Sequence, residues 1–493
     1  MRLRLRRKSR RFWLLVFASM GLAVAGLFAA DYFYQFHKLQ SRLDSIRARS
    51  EPVTLEELNN WHEPVADDQN VCLAIEKANE LWVEAPQDDI LQLEFHPATQ
   101  GGDVIGEWWN GQVPYNVSQY LESNVQFTEA VHSALQLSGS RSRVTYGRDE
   151  SHTSSNLRAT QTSRSRIAYD LDESLESHDA VSVFDRAKHV LMYKAVSAST
   201  IGDGEIAVDA IVDLLKICRA LDLEPNPTVV SQNRLSVIET CVMVSFTLSR
   251  CELSAKSAQN LQSALANYAD SIDFSRIVEM VRCAAFCRAQ SQMQESLYFR
   301  LLWPRSANRI LNGFETYEKA MELPPPEYVR EWKTLLNRTA PRFGSSSDLL
   351  NRILDDVQQT PDIAALEQLQ LTIIAQRTDD PNISTAIAAT AVHRYRMDNS
   401  LVIPESLNKL VPRYLTSVPI NWYDGQPLQI RTCRDGYIVY TTAIRGYDSV
   451  VTTSNDEIAA MRENEIDPGC SEGPIGQNLF RVILSRPPLS NSP

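Results

Sequence analysis

Asp103 and Glu107 stand four residues apart, beside Trp108 and Trp109, in the stretch GGDVIGEWWNGQ at 101–112. Paired acids beside aromatic platforms are the equipment of glycoside hydrolysis. There one carboxyl group protonates the leaving oxygen and the other attacks or activates water. That chemistry needs the two carboxyl groups about 5–10 Å apart across a cleft. A Gly-rich loop sets no such separation. No catalytic residue is assigned: Asp103 and Glu107 are the nearest candidates, and the loop reads first as two anchoring tryptophans beside two solvated acids.

Other chemistry-bearing patterns are missing. The chain has no G-x-S-x-G elbow, H-E-x-x-H pair, P-loop or dinucleotide fingerprint. Its eight histidines stand apart, with no metal-ligand spacing. Its eight cysteines form no C-x-x-C pair, so neither a zinc site nor a redox motif is indicated. Cys283 and Cys287 lie one helical turn apart and read as small core residues. Cys433 and Cys470 lie in a loop-rich tail and are candidates to pair in an oxidising compartment. Asn116, Asn337 and Asn382 match the glycosylation sequon, a pattern short enough for chance. No cofactor is expected.

The elements that would position any site begin with the front end. Residues 1–11 carry seven basic side chains, and FWLLVFASMGLAVAGLFAA (Phe12–Ala30) follows without a charge. Nineteen residues approach the length a helix needs to cross a bilayer. Tyr32, Phe33, Tyr34 and Phe36 then stand where an aromatic belt would lie. Arginines before the run and none just after it predict an N-terminus in the cytoplasm and a body outside it. A cleaved signal peptide is the alternative, with Ala23-Val24-Ala25 as the cleavage pattern. The apolar run continues past that point, so a retained anchor is preferred, with the lipid bilayer as partner through Phe12–Ala30.

The formal charge is −12 over 493 residues, and without the basic cluster 42 basic and 61 acidic residues leave −19. Such a body repels nucleic acid, which is not expected as a partner.

The middle is predicted to be helical. Thr54 and Glu57 form a capping-box pattern. Residues 70–84 and 118–137 keep helical spacing, while the Ser/Thr/Arg-rich 140–166 reads as an exposed loop. Apolar stripes over 184–198 and 205–223 flank Gly202-Asp203-Gly204, which predicts an antiparallel helical hairpin. Helices follow at 234–250 and after Ser254. More are expected at 274–302, 306–322, 326–338, 346–357 and 361–375. The hairpin resembles a tetratricopeptide-like unit, but no 34-residue period survives. The fold class expected is mainly α: an irregular helical-hairpin bundle or solenoid-like stack behind one transmembrane helix, with a small C-terminal α+β module.

That module is the most legible part of the chain. A small-faced helix (Ala386, Ala388, Ala389, Ala391) carries His393 on what reads as its polar flank, at the surface or half-buried. Pro404 opens a short helix, and Leu428 and Ile430 alternate as a strand does. Asp435-Gly436 is a hairpin turn signal before YIVYTT at 437–442. The series Pro404, Ser406, Leu407, Leu410, Val418, Pro419, Asp424, Gly425, Pro427, Leu428, Gly436, Tyr437, Val439 and Tyr440 resembles the C-terminal region of G-type type II secretion pseudopilins. It is still more similar to a set of uncharacterised single-pass bacterial membrane proteins that carry the module behind a helical domain. Residues of the segment starting PTVVSQNRLSVIE look like that helical domain too, so the resemblance covers about half the chain. It implies the bacterial inner membrane, with the bulk extracytoplasmic, and implies no activity. Pseudopilins of that type hold calcium in a loop after the hairpin. AIRGYDSVVTTSNDE stands here instead, and Asp448, Asp456 and Glu457 are the only candidate oxygen ligands, fewer than a hard cation needs. No carboxylate lies within Phe12–Ala30, unlike a prepilin leader, which argues against a filament subunit.

The domain reading is a basic tail over 1–11, the membrane helix and belt over 12–36, and an extracytoplasmic helical domain over 37–380. The pseudopilin-like module spans 381–487, with a disordered tail over 488–493. The function expected is a non-enzymatic interaction or structural protein. A protein partner would lie on the helical domain; the alternatives are an accessory of a pseudopilin-type secretion or assembly system and an envelope hydrolase with a scattered site.

Overall fold

A computed structural model of the chain describes residues 2–61, 66–84, 115–137, 144–146, 167–169, 178–222, 227–271, 278–283, 286–287, 290, 297–321, 323, 327, 382–420, 425–433, 436–440 and 479–483. The protein is mostly helical, with one long apolar helix at its N-terminus. That helix, α1 (Arg2–Ala48), runs 47 residues without a break, about 70 Å at 1.5 Å per residue. It is long and apolar enough to cross a membrane, and no part of its apolar window is buried in the protein. Its last turns behave differently. Leu39 and Ile46 are buried, and Leu43 packs beside them, against Phe286, Ala307 and Leu311. The spacing is one helical stripe.

Helix α2 (Leu55–Trp61) starts at the expected cap. The Glu57 N–H donates to Thr54 Oγ1 at 3.1 Å, and the Glu57 carboxylate reaches back to the Val53 N–H at 2.8 Å. Helix α3 (Val71–Ala78) is capped by the Asn70 side chain, which accepts from the Cys72 N–H. The continuous helix expected over 118–137 is two helices, α4 (Tyr115–Ser123) and α5 (Val125–Ala134). Asn124 divides them. Its buried amide donates to the Tyr120 and Val83 carbonyls and accepts from the Val83 N–H, tying the break to the chain that follows α3. The stretch read as loop, 140–166, contains β1 (Val144–Tyr146), which pairs in parallel with β2 (Ile167–Tyr169) just past its end.

The centre is a bundle of α6 (His178–Ile201), α7 (Gly204–Leu221), α8 (Pro227–Arg250) and α9 (Ala255–Ser271). The α6–α7 hairpin turns at Gly202, whose φ of +83° suits a residue without Cβ. Asp203 then caps α7 by accepting from the Ile206 N–H at 3.1 Å. Ser254 caps α9 in the same way, through the Ser257 N–H. A turn of helix, α10, covers 278–283, and α11 (Leu297–Met321) runs beside the end of α1. Separate helices were expected to end at 302 and start at 306. Instead α11 continues through Pro304, which is buried.

Helix α12 (382–398) is buried on nearly every side. Strands β3 (Gln429–Cys433), β4 (Gly436–Tyr440) and β5 (Leu479–Ile483) form an antiparallel sheet in the order β3-β4-β5. Ile430 faces Val439 and Ile438 faces Arg481 in register. Tyr437 sits in the core with its hydroxyl donating to the Ala389 carbonyl at 3.0 Å, and β5 lies against α8. One hydrophobic core thus runs from α3 through the bundle to α12 and β4.

Gly204 marks a tight approach between α7 and the chain after α8. A Cβ there would lie 2.5 Å from Leu253 Cδ2 and 3.1 Å from Cys251 Cβ. Gly204→Ala should lower stability by about 1–3 kcal/mol through overpacking, less up to about 1 kcal/mol of helix propensity. Denaturant unfolding of the two forms measures the difference.

Candidate functional site

The residues singled out for chemistry from sequence, Asp103, Glu107, Asp448, Asp456 and Glu457, lie outside the described residues, as does Cys470 and with it the proposed Cys433 pairing. Among the described residues no cluster of histidine, cysteine or carboxylate side chains is placed to hold a metal ion.

The described residues do bring together groups far apart in sequence. His132 Nδ1 lies 2.6 Å from Asp213 Oδ2, and the Gln136 amide donates to His132 Nε2 at 3.3 Å. Asp213 is buried and His132 half-exposed. A carboxylate orienting an imidazole is one half of an acid–base device. The other half, a hydroxyl or thiol on Nε2, is absent among the described residues. Lys188 Nζ donates to Ser236 Oγ at 2.7 Å, the contact a serine–lysine nucleophile needs. Both side chains are buried in the bundle, and Asp185 holds the ammonium at 2.5 Å. The contact therefore ties α6 to α8 rather than facing a substrate. Neither pair was visible in sequence, because 81 and 48 residues separate the partners.

The most developed constellation joins α1 to the body. Asn308 on α11 is 3% exposed and donates to the Gln35 carbonyl at 2.9 Å. Two turns further along α1, Arg42 donates to the Asn308 carbonyl at 2.9 Å and to Asn312 Oδ1 at 2.8 Å, and its guanidinium meets Glu315 at 2.6 Å. Residue numbers rise together on the two helices, so they run parallel. The next layer is Arg282, 3% exposed, bound to Glu51 at 2.6 Å and to Glu318 at 2.9 Å. Burial opposes ionisation of Glu51. Hydrogen bonds from Arg49 and Arg282 outweigh it and hold the carboxyl below its usual range. Glu318 is raised by burial despite Arg282. Cys283 and Cys287 point their thiols at the Thr54 and Val53 carbonyls. Their mutual contact and burial push the Cys283 thiol far up, so it is a neutral donor here and not a nucleophile.

Below this clamp, α1 and α11 part to leave a cleft of about 380 Å³. Phe28, Phe33, Leu301 and Leu302 form its apolar wall, and Asp31 and Arg305 lie at its polar edge. Leu301 is 58% exposed and Phe28 71% exposed, so the cleft opens to the side. It offers an apolar slot with one cation and one anion, and Tyr32 and Gln35 also line it. No family model, curated protein or solved structure matches this chain.

His393 is 2% exposed, a correction to its placement on a polar flank, and neither ring nitrogen has a hydrogen-bond partner. The small residues around α12 let it sink into the core over most of its length, leaving Met397 and Asp398 at its end exposed. Burial, and then Arg396, lower its pKa to about 4. Burial raises Glu239 to about 7, against the pull of Lys188. The two act with opposite sign. The unfolded chain protonates its histidine near 6.5, so His393 withdraws stability as pH falls from about 6.5 to 4. Glu239 withdraws it as pH rises from about 4.5 to 7. His393→Leu should flatten the acid limb of stability against pH and Glu239→Gln the neutral limb, each by up to roughly 3 kcal/mol. Urea midpoints across pH 4–8 test both. Arg282→Ala should cost about 1–3 kcal/mol, because Glu51 keeps Arg49 but loses its buried second arginine and the half-buried Glu318 loses its hydrogen bond to Arg282, read as a loss of thermal midpoint in the full chain.

Proposed function

We propose that the chain is a single-pass membrane protein of the bacterial inner membrane. Its N-terminus lies in the cytoplasm and its helical body outside, serving as an interaction or structural surface and not as an enzyme. One observation carries this. The same helix that exposes Phe12, Leu15, Leu22 and Leu27 to its surroundings is locked into the body by Leu39, Arg42 and Ile46. Large apolar side chains along a helix more than half exposed are stable in hydrocarbon and costly in water. Seven basic residues ahead of them favour the cytoplasmic side for the terminus.

The clamp gives the anchor a purpose beyond tethering. A flexible stalk would let the body tumble. Buried polar contacts two turns apart hold it at one height and one rotation about the span. A surface that must meet a partner in the same membrane gains from such fixed presentation, because less orientational freedom is lost on binding. The acidic body matches a partner with basic or neutral surfaces, and the Lys188–Ser236 pair supports a structural role for the bundle.

The topology is tested in spheroplasts of a bacterial host. Added protease should remove the body while a tag ahead of Arg2 stays protected, and alkaline phosphatase fused after Pro493 should be active. A protected body, or a C-terminal reporter that works only in the cytosol, overturns the proposal.

A further inference from the structure

The parallel register of α1 and α11 has a geometric result. Gln35 pairs with Asn308 and Arg42 with Glu315, an offset shared by Phe28 and Leu301 across the cleft. Continued downward, this places Leu297, the first residue of α11, level with Val24. That is six residues inside the end of the charge-free run at Ala30, about 9 Å along the axis. The start of α11 reads LYFRLLWPR, a composition suited to a membrane interface and its apolar margin. Arg305 falls level with Tyr32, within the aromatic belt, at the depth of lipid phosphates.

We propose that the N-terminal end of α11 enters the bilayer beside α1, and that the cleft between them seats one phospholipid of the body-side leaflet. The proposal rests on the membrane reading of α1 given above. The acyl chain lies against Phe28 and Leu301, and the phosphate meets Arg305. Asp31, on the same edge, is placed to accept from the amine of an ethanolamine headgroup, so a zwitterionic lipid satisfies both charges. Three features converge: a side-opening apolar slot continuous with the exposed face of the span, a cation at one end of it, and a helix start that would otherwise hold Leu301 in water.

The test uses the full chain reconstituted in vesicles of phosphatidylethanolamine and phosphatidylglycerol that carry a diazirine in a lipid acyl chain. After irradiation and digestion, adducts are expected on peptides of both 12–30 and 297–305. Adducts on 12–30 alone overturn the insertion of α11 and leave the anchor standing, whereas adducts on neither remove the membrane reading itself. The seat is read separately, by native mass spectrometry of the full chain released from nanodiscs of the same lipids. One retained phospholipid is expected. Arg305→Glu, an exposed change that leaves the fold intact, should reduce its occupancy roughly tenfold through loss of a charge-assisted contact. Arg305→Lys should keep most of it. Equal retention in wild type and Arg305→Glu, or no retained lipid in the wild type, overturns the seat.

Discussion

The structure depends on the way one continuous helix meets two surroundings. Up to about Phe36, α1 exposes apolar side chains all round; from Leu39 on, it is half a core element. The change is enforced by polar groups, not by apolar packing alone. Asn308 is buried, so its amide must find partners, and the Gln35 carbonyl supplies one. An orphaned buried amide costs about 1–3 kcal/mol, more than a typical hydrogen bond contributes when made. The contact is therefore worth most as a constraint: a slide or rotation of α1 on α11 takes the Gln35 carbonyl from Asn308, which keeps only the Pro304 carbonyl of its own helix, and moves Arg42 off Asn308, Asn312 and Glu315. Arg282 adds a second such constraint by joining Glu51, just past α1, to Glu318 at the far end of α11. Height, rotation and direction of the body relative to the apolar helix all follow.

Behind the clamp the bundle holds itself together with side chains of modest size. Ser199 and Thr247 share a hydrogen bond at 2.7 Å between α6 and α8, and Thr240 and Ser249 bond back to carbonyls one turn earlier in α8. Such back-bonding satisfies hydroxyls that would otherwise be orphaned where helices pack closely. The alanines of α12 let it lie within the core, and Tyr437 fills the space above it with its hydroxyl on the Ala389 carbonyl. Glu239 and His393 are carried inside this arrangement, and burial, which raises the first and lowers the second, is expected to make stability depend on pH in opposite directions.

Much of the local structure was legible because its causes are local. Thr54 and Ser254 cap helices since a side-chain oxygen two or three residues ahead of an N–H needs no tertiary help. Gly202-Asp203-Gly204 turns the hairpin because backbone freedom and a cap coincide there. The alternation around Ile430 and Val439 marks strands because side chains alternate faces. Asn124 was missed as a helix break because its reason is the Val83 backbone 41 residues away. His393 was read as lying at the surface or half-buried because two arginines, Arg394 and Arg396, follow it in sequence and give that side of the helix a polar character. The small residues on the remaining faces, read as a single packing face, in fact let neighbours close over the ring. Pro304 read as a boundary, yet the helix passes through it while packed against α1.

The sequence by itself determined that a charge-free run with basic residues before it and aromatics after it leads a mostly helical chain, and where several of its helices and strands begin. Those are properties of short stretches, set by burial period, capping and charge counted along the chain. Only the tertiary structure decided that the apolar helix is fastened to the body, that α11 runs parallel to it with a cleft between, and that His132 meets Asp213 and Lys188 meets Ser236. These are distances between segments up to some 270 residues apart. Such distances follow from how whole helices pack, because only when every buried polar group finds its partner at once does one arrangement win over the others.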